Sequence, residues 1–300
     1  MRIFVTGSSG FIGTPLCRLL METGCELVGI DVKPPKMGEY RHETIDIRDR
    51  TTLHSLVVET RPEIVVHLAA LHYIPYCNEH PNETVATNVV GTSHLLNACQ
   101  EIPLKRFFFA STAAVYGPSA IAHSEESEVG PVDIYGLTKA YAEELVRRFG
   151  ERTGIDTVTG RLFNVYGEGD PHPHVIPDLI AQLRRQSADK GLVVKLGNLT
   201  PARDYVHVSD AVRAIHLLAV GPRATGRIYN VGTGTAVSVS DLVDRVQEIL
   251  DEPVKIEQSE ARKREVDRPL LLSDARRLHS LGWDSQVTLQ EGLRQLLRNP

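Results

Sequence analysis

The stretch Thr6-Gly7-Ser8-Ser9-Gly10-Phe11-Ile12-Gly13 decides how this chain is read. The apolar run Ile3-Phe4-Val5 enters it, and Phe11, Ile12, Leu16, Leu19 and Leu20 leave it with helical spacing. A strand therefore feeds a glycine turn that opens a helix. In that setting Gly7 permits the tight turn and Gly10 lets backbone approach a pyrophosphate. Gly13 lets the helix pack close to the sheet. Phosphates would rest on the helix N-terminus, where free N–H groups and the helix dipole favour anions. The spacing is GxxGxxG, so the turn alone could also be structural.

Two further stretches favour a dinucleotide site. Leu27-Val28-Gly29-Ile30-Asp31 reads as a buried strand ending in a carboxylate, 18 residues after Gly13. An acid at that place binds adenosine ribose hydroxyls and repels a 2'-phosphate, which favours NAD over NADP. Lys33 weakens that preference slightly, and a turn role ahead of Pro34-Pro35 is the alternative for Asp31. Ile64-Val65-Val66-His67-Leu68-Ala69-Ala70 is a third apolar strand ending in small residues, against which a flat cofactor can lie.

The 300 residues fit one large α/β unit or two lobes. With 42% hydrophobic and 24% charged residues, the composition is that of an ordinary soluble protein. A net charge of −5 argues against nucleic acid as a partner. No apolar run is long enough to span a membrane. Met1-Arg2 runs straight into a core strand, and Cys17, Cys25, Cys77 and Cys99 have no ligand spacing. Both features read as a cytoplasmic protein with reduced cysteines. The 12 histidines form no metal signature, so no metal is expected.

Further along, residues 43–49 read as a short strand and a turn. Asp46 there either reaches an adenine or caps the helix expected over 51–59. Residues 71–77 look too irregular for a regular element, and they serve either as a substrate loop or as packing. A long helix is expected over 81–100, with Asn88 inside it able to tie down backbone of a neighbouring loop. Arg106-Phe107-Phe108-Phe109-Ala110 is a buried strand that ends in the hydroxyls Ser111 and Thr112, beside a cofactor crevice. Tyr135 and Lys139 stand four apart on the next helix and share a face. A nearby ammonium favours the phenolate, which would make the phenol usable as a base near neutrality. A second lobe is expected to begin in the Pro- and His-rich run after Gly167. A later helix would be capped by Ser209 or Asp210.

Taken in order, the glycine turn, Tyr135/Lys139, Arg161-Leu162-Phe163-Asn164-Val165-Tyr166-Gly167 and Arg203-Asp204-Tyr205-Val206-His207-Val208 resemble the extended short-chain dehydrogenase/reductase family. The likeness is to its nucleotide-sugar epimerases and dehydratases and runs from Arg2 to about Trp283. It implies a Rossmann-type doubly wound parallel sheet over residues 1–165, with 201–232 returning to it. A smaller nucleotide-sugar domain would comprise 166–200 and 233–300. It also implies tightly bound NAD, a nucleoside-diphosphate sugar as substrate, and a homodimer joined through the helices at 81–100 and 135–152.

The same resemblance implies site roles. Tyr135 is the catalytic base and acid. Lys139 holds the nicotinamide ribose and lowers the tyrosine pKa. Thr112 hydrogen-bonds the sugar 4-hydroxyl. Gly7, Gly10, Phe11, Ile12, Gly13, Asp31, Asp46, Ile47, Leu68, Ala69, Ala70, Asn88 and Ser111 complete the cofactor set with Tyr135 and Lys139. Asn164 and Arg203 meet the substrate diphosphate, and Arg262 is the best fit for a second phosphate arginine from the tail. The residues around Arg262 depart from the usual pattern, and for Arg203 a pairing with Asp204 is the structural alternative. Tyr73 and His172 join the substrate set as candidate lining of the sugar pocket.

Removal of water between carbons 4 and 6 needs an acid and a base just after the threonine. Alanines stand there, Ala113 and Ala114. The expected activity is therefore 4-epimerisation, with a UDP-sugar favoured. A 4-keto-sugar reductase is the runner-up, and a 4,6-dehydratase ranks lower.

Overall fold

The computed structural model describes residues 1–36, 40–186, 191–262 and 268–298. Its main sheet has seven strands in the order β10-β6-β5-β4-β1-β2-β3. They are β1 (Arg2–Thr6), β2 (Glu26–Asp31), β3 (Arg41–Thr44), β4 (Ile64–His67), β5 (Arg106–Thr112), β6 (Asp156–Leu162) and β10 (Ile228–Val231). Every pairing in it is parallel. All carboxyl ends thus share one edge. The direction of winding reverses between β1 and β4, where open α/β sheets bind ligands. β1 and β4 are apolar along most of their buried length because helices cover both sides of the sheet, and each ends in a buried polar side chain, Thr6 and His67.

On one side α1 (Gly13–Glu22) and α8 (Val208–Val220) pack over Val5, Leu16, Leu20, Ile215 and Leu218. On the other lie α2 (Arg50–Thr60), α5 (Thr92–Cys99) and α6 (Ile134–Thr153), over Phe4, Leu53, Val65, Leu95, Phe107 and Phe149. The smaller lobe is built on β7 (Asn164–Tyr166), β9 (Ala202–His207), β11 (Ala236–Ser238) and β13 (Leu270–Leu271), which form one sheet. β8 (Leu192–Leu196) and β12 (Val254–Gln258) form another. Helices α7 (Val175–Arg184), α9 (Val239–Leu250) and α11 (Leu289–Arg298) close its core around Leu179, Leu242 and Leu293. The fold is the Rossmann-type α/β arrangement with a smaller C-terminal lobe.

Several local readings are corrected. Residues 71–77 are not wholly irregular: α3 (Ile74–Glu79) forms, with Pro75 in its first turn, where the missing N–H costs nothing. The segment at 81–99 is helical throughout but not uniformly α. A π-helical turn, Ala86–Gly91, joins α4 (Pro81–Val85) to α5. The cap of α2 is Asp49, which accepts from Thr52 N, and not Asp46. The cap of α8 is His207, whose ring accepts from Ser209 N, and neither Ser209 nor Asp210. Asp210 is buried and takes the backbone N–H groups of Gln286 and Val287.

The chain also crosses between lobes more often than the expected segments allow. β9, within 201–232, joins the small sheet. Leu278, Leu281 and Trp283, within 233–300, pack in the core of the large one. α10 (Arg276–His279) leads into that packing. Among the described residues no helix is long and apolar enough to cross a membrane.

Candidate active site

The glycine turn is shaped by contact and not only by flexibility. Gly7 has φ +74°, and a Cβ there would stand 2.8 Å from Ala69 N. A Cβ on Gly13 would stand 1.9 Å from the Gly7 carbonyl oxygen. Both positions therefore exclude any side chain. No side chain caps the N-terminus of α1; Thr14 N donates to the Gly10 carbonyl and Pro15 has no N–H, so in the first turn Gly13 N is the group left to meet an anion. The Asp31 carboxylate stands at the end of β2 and accepts from Ser9 N at 3.1 Å and Lys33 N at 2.9 Å. It both anchors the turn and presents negative charge beside it.

The floor of the crevice is a chain of hydrogen bonds. Ala69 N donates to Thr6 Oγ1 (3.1 Å), and Thr6 Oγ1 lies 2.6 Å from His67 Nδ1. His67 Nε2 lies 2.9 Å from Thr92 Oγ1, which donates to the Asn88 carbonyl at 2.7 Å. The Nε2–H tautomer lets every group in this chain pair. Burial pushes the His67 pKa down to about 3, so the ring is neutral. The Asn88 side chain accepts from Leu71 N (2.8 Å) and donates to Leu71 O (2.8 Å) and Thr138 Oγ1 (3.0 Å). The loop after β4 is thereby fastened to the helix that carries Tyr135, as a polar amide at position 88 suggests. The π-turn accommodates Asn88 inside the fold, a common use of such insertions.

Tyr135 and Lys139 occupy the first turns of α6, whose cap Asp133 accepts from Gly136 N at 2.7 Å. Gly136 is a residue whose role the sequence reading missed. A Cβ there would stand 2.3 Å from the Ala114 carbonyl, so only glycine lets α6 press against the turn at Ala113–Val115. That approach brings Tyr135 to Thr112. The Thr112 hydroxyl accepts from Ala114 N at 3.1 Å and hydrogen-bonds Tyr135.

The expected depression of the phenol by Lys139 is not found. Desolvation drives the Tyr135 pKa up, and the Thr112 hydrogen bond is the opposing influence. The physical reason lies in Lys139 itself. It is 2% exposed, and its Nζ sits 4.1 Å from the centre of the Phe109 ring. Burial pushes its pKa down to about 7, so its charge is not secure at neutrality.

Other expected residues are distributed as follows. Phe11 and Ile12 are part-buried against the α1 side of the core. Ile47 is buried against Gly91, so its side chain belongs to the core, and its carbonyl lies 3.3 Å from His94 Nδ1. Asp46 is engaged by the Arg48 guanidinium, which holds its carboxyl below the usual range. The Ser111 hydroxyl donates to Glu143 at 2.5 Å. Glu143 in turn takes Arg161 Nε at 2.9 Å and Nη2 at 2.7 Å. The sequence reading missed this buried cluster, although Glu143 stands four residues beyond Lys139.

Between the loop after β4 and the run after Gly167, Tyr73 stacks on His172 with ring centres 4.9 Å apart, and His72 meets His172 edge-on at 4.7 Å. Burial pushes the His72 pKa down to about 4. Among the described residues no group of three or more His, Cys, Asp or Glu is placed to hold a metal ion. The side-chain carbonyl oxygen of Asn164 is buried with no partner. Arg203 is the second residue of β9, and its Nη1 donates to Arg268 O at 2.7 Å. Asp204 points elsewhere: it accepts from Thr233 N, Gly234 N and the Ser273 hydroxyl. Arg262 forms an ion pair with Asp178 of α7. Arg268, which the sequence reading left aside, is buried against Asp133 and the Ala114 carbonyl.

The cradle at Gly7 and Gly13, the open N-terminus of α1 and the acid at the end of β2 fit NAD in donor set and charge. Comparison with known proteins agrees. The model of the NAD dependent epimerase/dehydratase family matches residues 3–232. A UDP-glucose 4-epimerase of Rhizobium meliloti (strain 1021) is 31% identical over 309 residues, covering 96% of this chain and 93% of its own. A GDP-6-deoxy-D-talose 4-dehydrogenase of Aggregatibacter actinomycetemcomitans is 31% identical over 293 residues, covering 96% and 94%. Among solved structures, MoeE5 in complex with UDP-glucuronic acid and NAD superposes with TM-score 0.89 at 31% identity, covering 99% of each chain. The chain belongs to the NAD dependent epimerase/dehydratase family.

Proposed function

We propose that this NAD-dependent nucleotide-sugar enzyme is a 4-epimerase that inverts the 4-hydroxyl of a UDP-hexose or UDP-hexuronate through a transient 4-keto sugar. The observation that carries the reading is the meeting of Thr112 and Tyr135 next to two alanines. The phenol of Tyr135 removes the 4-hydroxyl proton and returns it, with Thr112 orienting that hydroxyl. Bound NAD supplies the hydride acceptor and donor. Ala113 and Ala114 carry no proton, so loss of water has no acid or base there. Lys139 would hold the nicotinamide ribose, and Asp31 the adenosine ribose.

Arg203 and the orphaned Asn164 carbonyl would face the diphosphate and its neighbours, with Tyr73 and His172 lining the sugar pocket. Both the UDP-glucose 4-epimerase relative and the UDP-glucuronic acid complex support a UDP-sugar. A homodimer is proposed on the apolar residues left exposed on two adjacent helical segments. Val85 (44%) and Val90 (43%) stand on one, Leu137 (42%) and Tyr141 (61%) on the other.

A second reading, a 4-keto-sugar reductase, is favoured by the GDP-6-deoxy-D-talose 4-dehydrogenase relative and by a GDP-6-deoxy-D-mannose reductase of Pseudomonas aeruginosa at 29% identity. Incubation with UDP-, dTDP-, GDP- and CDP-sugars without added cofactor separates the two. Conversion of a UDP-sugar to its 4-epimer supports the first. Turnover only of a 4-keto sugar with supplied reductant supports the second.

A further inference from the structure

Arg268 enters from the tail of the smaller lobe, just ahead of β13. It is 7% exposed, and its two terminal nitrogens reach different partners. Nη1 lies 3.3 Å from Asp133 Oδ2, and Nη2 donates to the Ala114 carbonyl at 2.9 Å. These two partners stand on opposite sides of one seam. Asp133 is the cap of α6, and its other oxygen, Oδ1, accepts from Gly136 N. Ala114 belongs to the turn at Ala113–Val115, which presses so close to Gly136 that a Cβ there would not fit. Along that seam Tyr135 comes to Thr112. The Arg268 main chain serves a different partner. Its carbonyl accepts from Arg203 Nη1 at 2.7 Å, and the strand that follows pairs Leu271 with Arg203.

We propose that Arg268 is a positioning residue: its guanidinium clamps the capped end of α6 to the turn at Ala113–Val115 and so fixes Tyr135 against Thr112. The close contact at Gly136 keeps other groups out of the seam but does not by itself hold helix and turn together. Charge-assisted hydrogen bonds in a buried setting do. A planar fork holds two partners at set angles, which an ammonium does not. Side chain and main chain divide the work. The guanidinium serves the reacting pair, and the carbonyl serves the proposed diphosphate arginine. The inference rests on the proposed roles of Tyr135, Thr112 and Arg203.

The test uses the full chain loaded with NAD. Arg268→Met removes both arms and keeps the carbonyl. It leaves Asp133 unpaired in the interior, which threatens folding. Arg268→Met/Asp133→Ser replaces the pair as a unit, with serine retained as a helix cap, and is the second variant. Arg268→Lys keeps a charge beside Asp133 without the fork. Tyrosine labelled with carbon-13 at the ring carbon that bears the hydroxyl reports the phenol by NMR. Tyr135→Phe assigns the signal, and Thr112→Val gives its position when the contact with Thr112 is lost. In both Met variants the Tyr135 signal should move toward the Thr112→Val position. Arg268→Lys should bring it part of the way back.

In turnover of a UDP-sugar, kcat per bound NAD should fall at least tenfold in both Met variants. KM, and the affinity for UDP by calorimetry, should stay within about threefold, because the carbonyl that holds Arg203 is untouched. An arginine needed only for stability would lower the fraction of folded, cofactor-bearing protein and leave kcat per bound NAD alone. A Tyr135 signal unmoved in both Met variants overturns the inference whatever the reaction proves to be. A moved signal with unmoved kcat per bound NAD upholds the clamp and overturns the role of the Tyr135–Thr112 contact in the reaction, and with it the proposed site.

Discussion

Asn88 grips Leu71 at two points: its side-chain oxygen accepts from Leu71 N and its side-chain nitrogen donates to Leu71 O, both at 2.8 Å. The same nitrogen reaches Thr138, whose hydroxyl donates to the Tyr135 carbonyl at 2.8 Å. One buried amide therefore ties the loop that runs past Gly7 to the helix that bears Tyr135. A displacement of either would be felt by both.

Asn88→Ala leaves the Leu71 N–H and carbonyl without partners in a part-buried setting. Stability should fall by about 2–4 kcal/mol. NAD content after gel filtration should fall with it, because the loop holding Ala69 against the glycine turn is released. Thermal unfolding and cofactor extraction read the two effects. Full cofactor retention at reduced stability would limit Asn88 to the scaffold.

Asp31 is tied to the turn through Ser9 N and Lys33 N. Its charge would repel a 2'-phosphate, so wild-type protein should yield NAD and little NADP on denaturation. Asp31→Ser keeps a short acceptor for the turn and removes the charge. Its preference for NAD over NADP should shrink at least tenfold in a direct binding titration. An unchanged preference would place the discrimination elsewhere.

The depressed Lys139 pKa is also a statement about stability. Burial lowers it from 10.5 to about 7 in the folded protein. Between those values the unfolded chain binds the proton and the folded one does not, so this group lowers stability as pH falls from about 10 to 7. Lys139→Met should therefore be inactive yet more stable than wild type by roughly 3 kcal/mol at pH 7. The difference should shrink toward pH 10. Denaturant melts of the two proteins across that range check the sign. A variant less stable at pH 7 would mean that the ammonium is held better than its burial implies.

The parts of the site legible in the sequence are those with local spacing. The turn at Gly7 and Gly13, the strand end at Asp31, and the pair Tyr135/Lys139 each lie within one strand-turn-helix unit, so their geometry follows from backbone periodicity. Asn88 was legible because a polar amide in the middle of a helix must find partners. Contacts between distant elements were not. Glu143 meets Arg161 and Ser111 only because β5 and β6 are neighbours with Ser111 opposite Arg161. Gly136 matters only because Ala114 comes against it. Burial, which raises the Tyr135 phenol in the folded chain, was not legible from helix spacing, which shows neighbouring charge and not desolvation.

The most direct measurement follows deuterium placed at carbon 4 of a UDP-sugar through turnover by enzyme as purified, with no cofactor added. The proposed 4-epimerase should keep the deuterium on carbon 4 of the inverted sugar, with no reduced cofactor beyond one equivalent per site. Tyr135→Phe, which keeps the ring and removes the proton carrier, should lower kcat at least ~100-fold in the same assay. Deuterium released into free reduced cofactor, dependence on continuously supplied reductant, or a 4-keto-6-deoxy product would contradict 4-epimerisation.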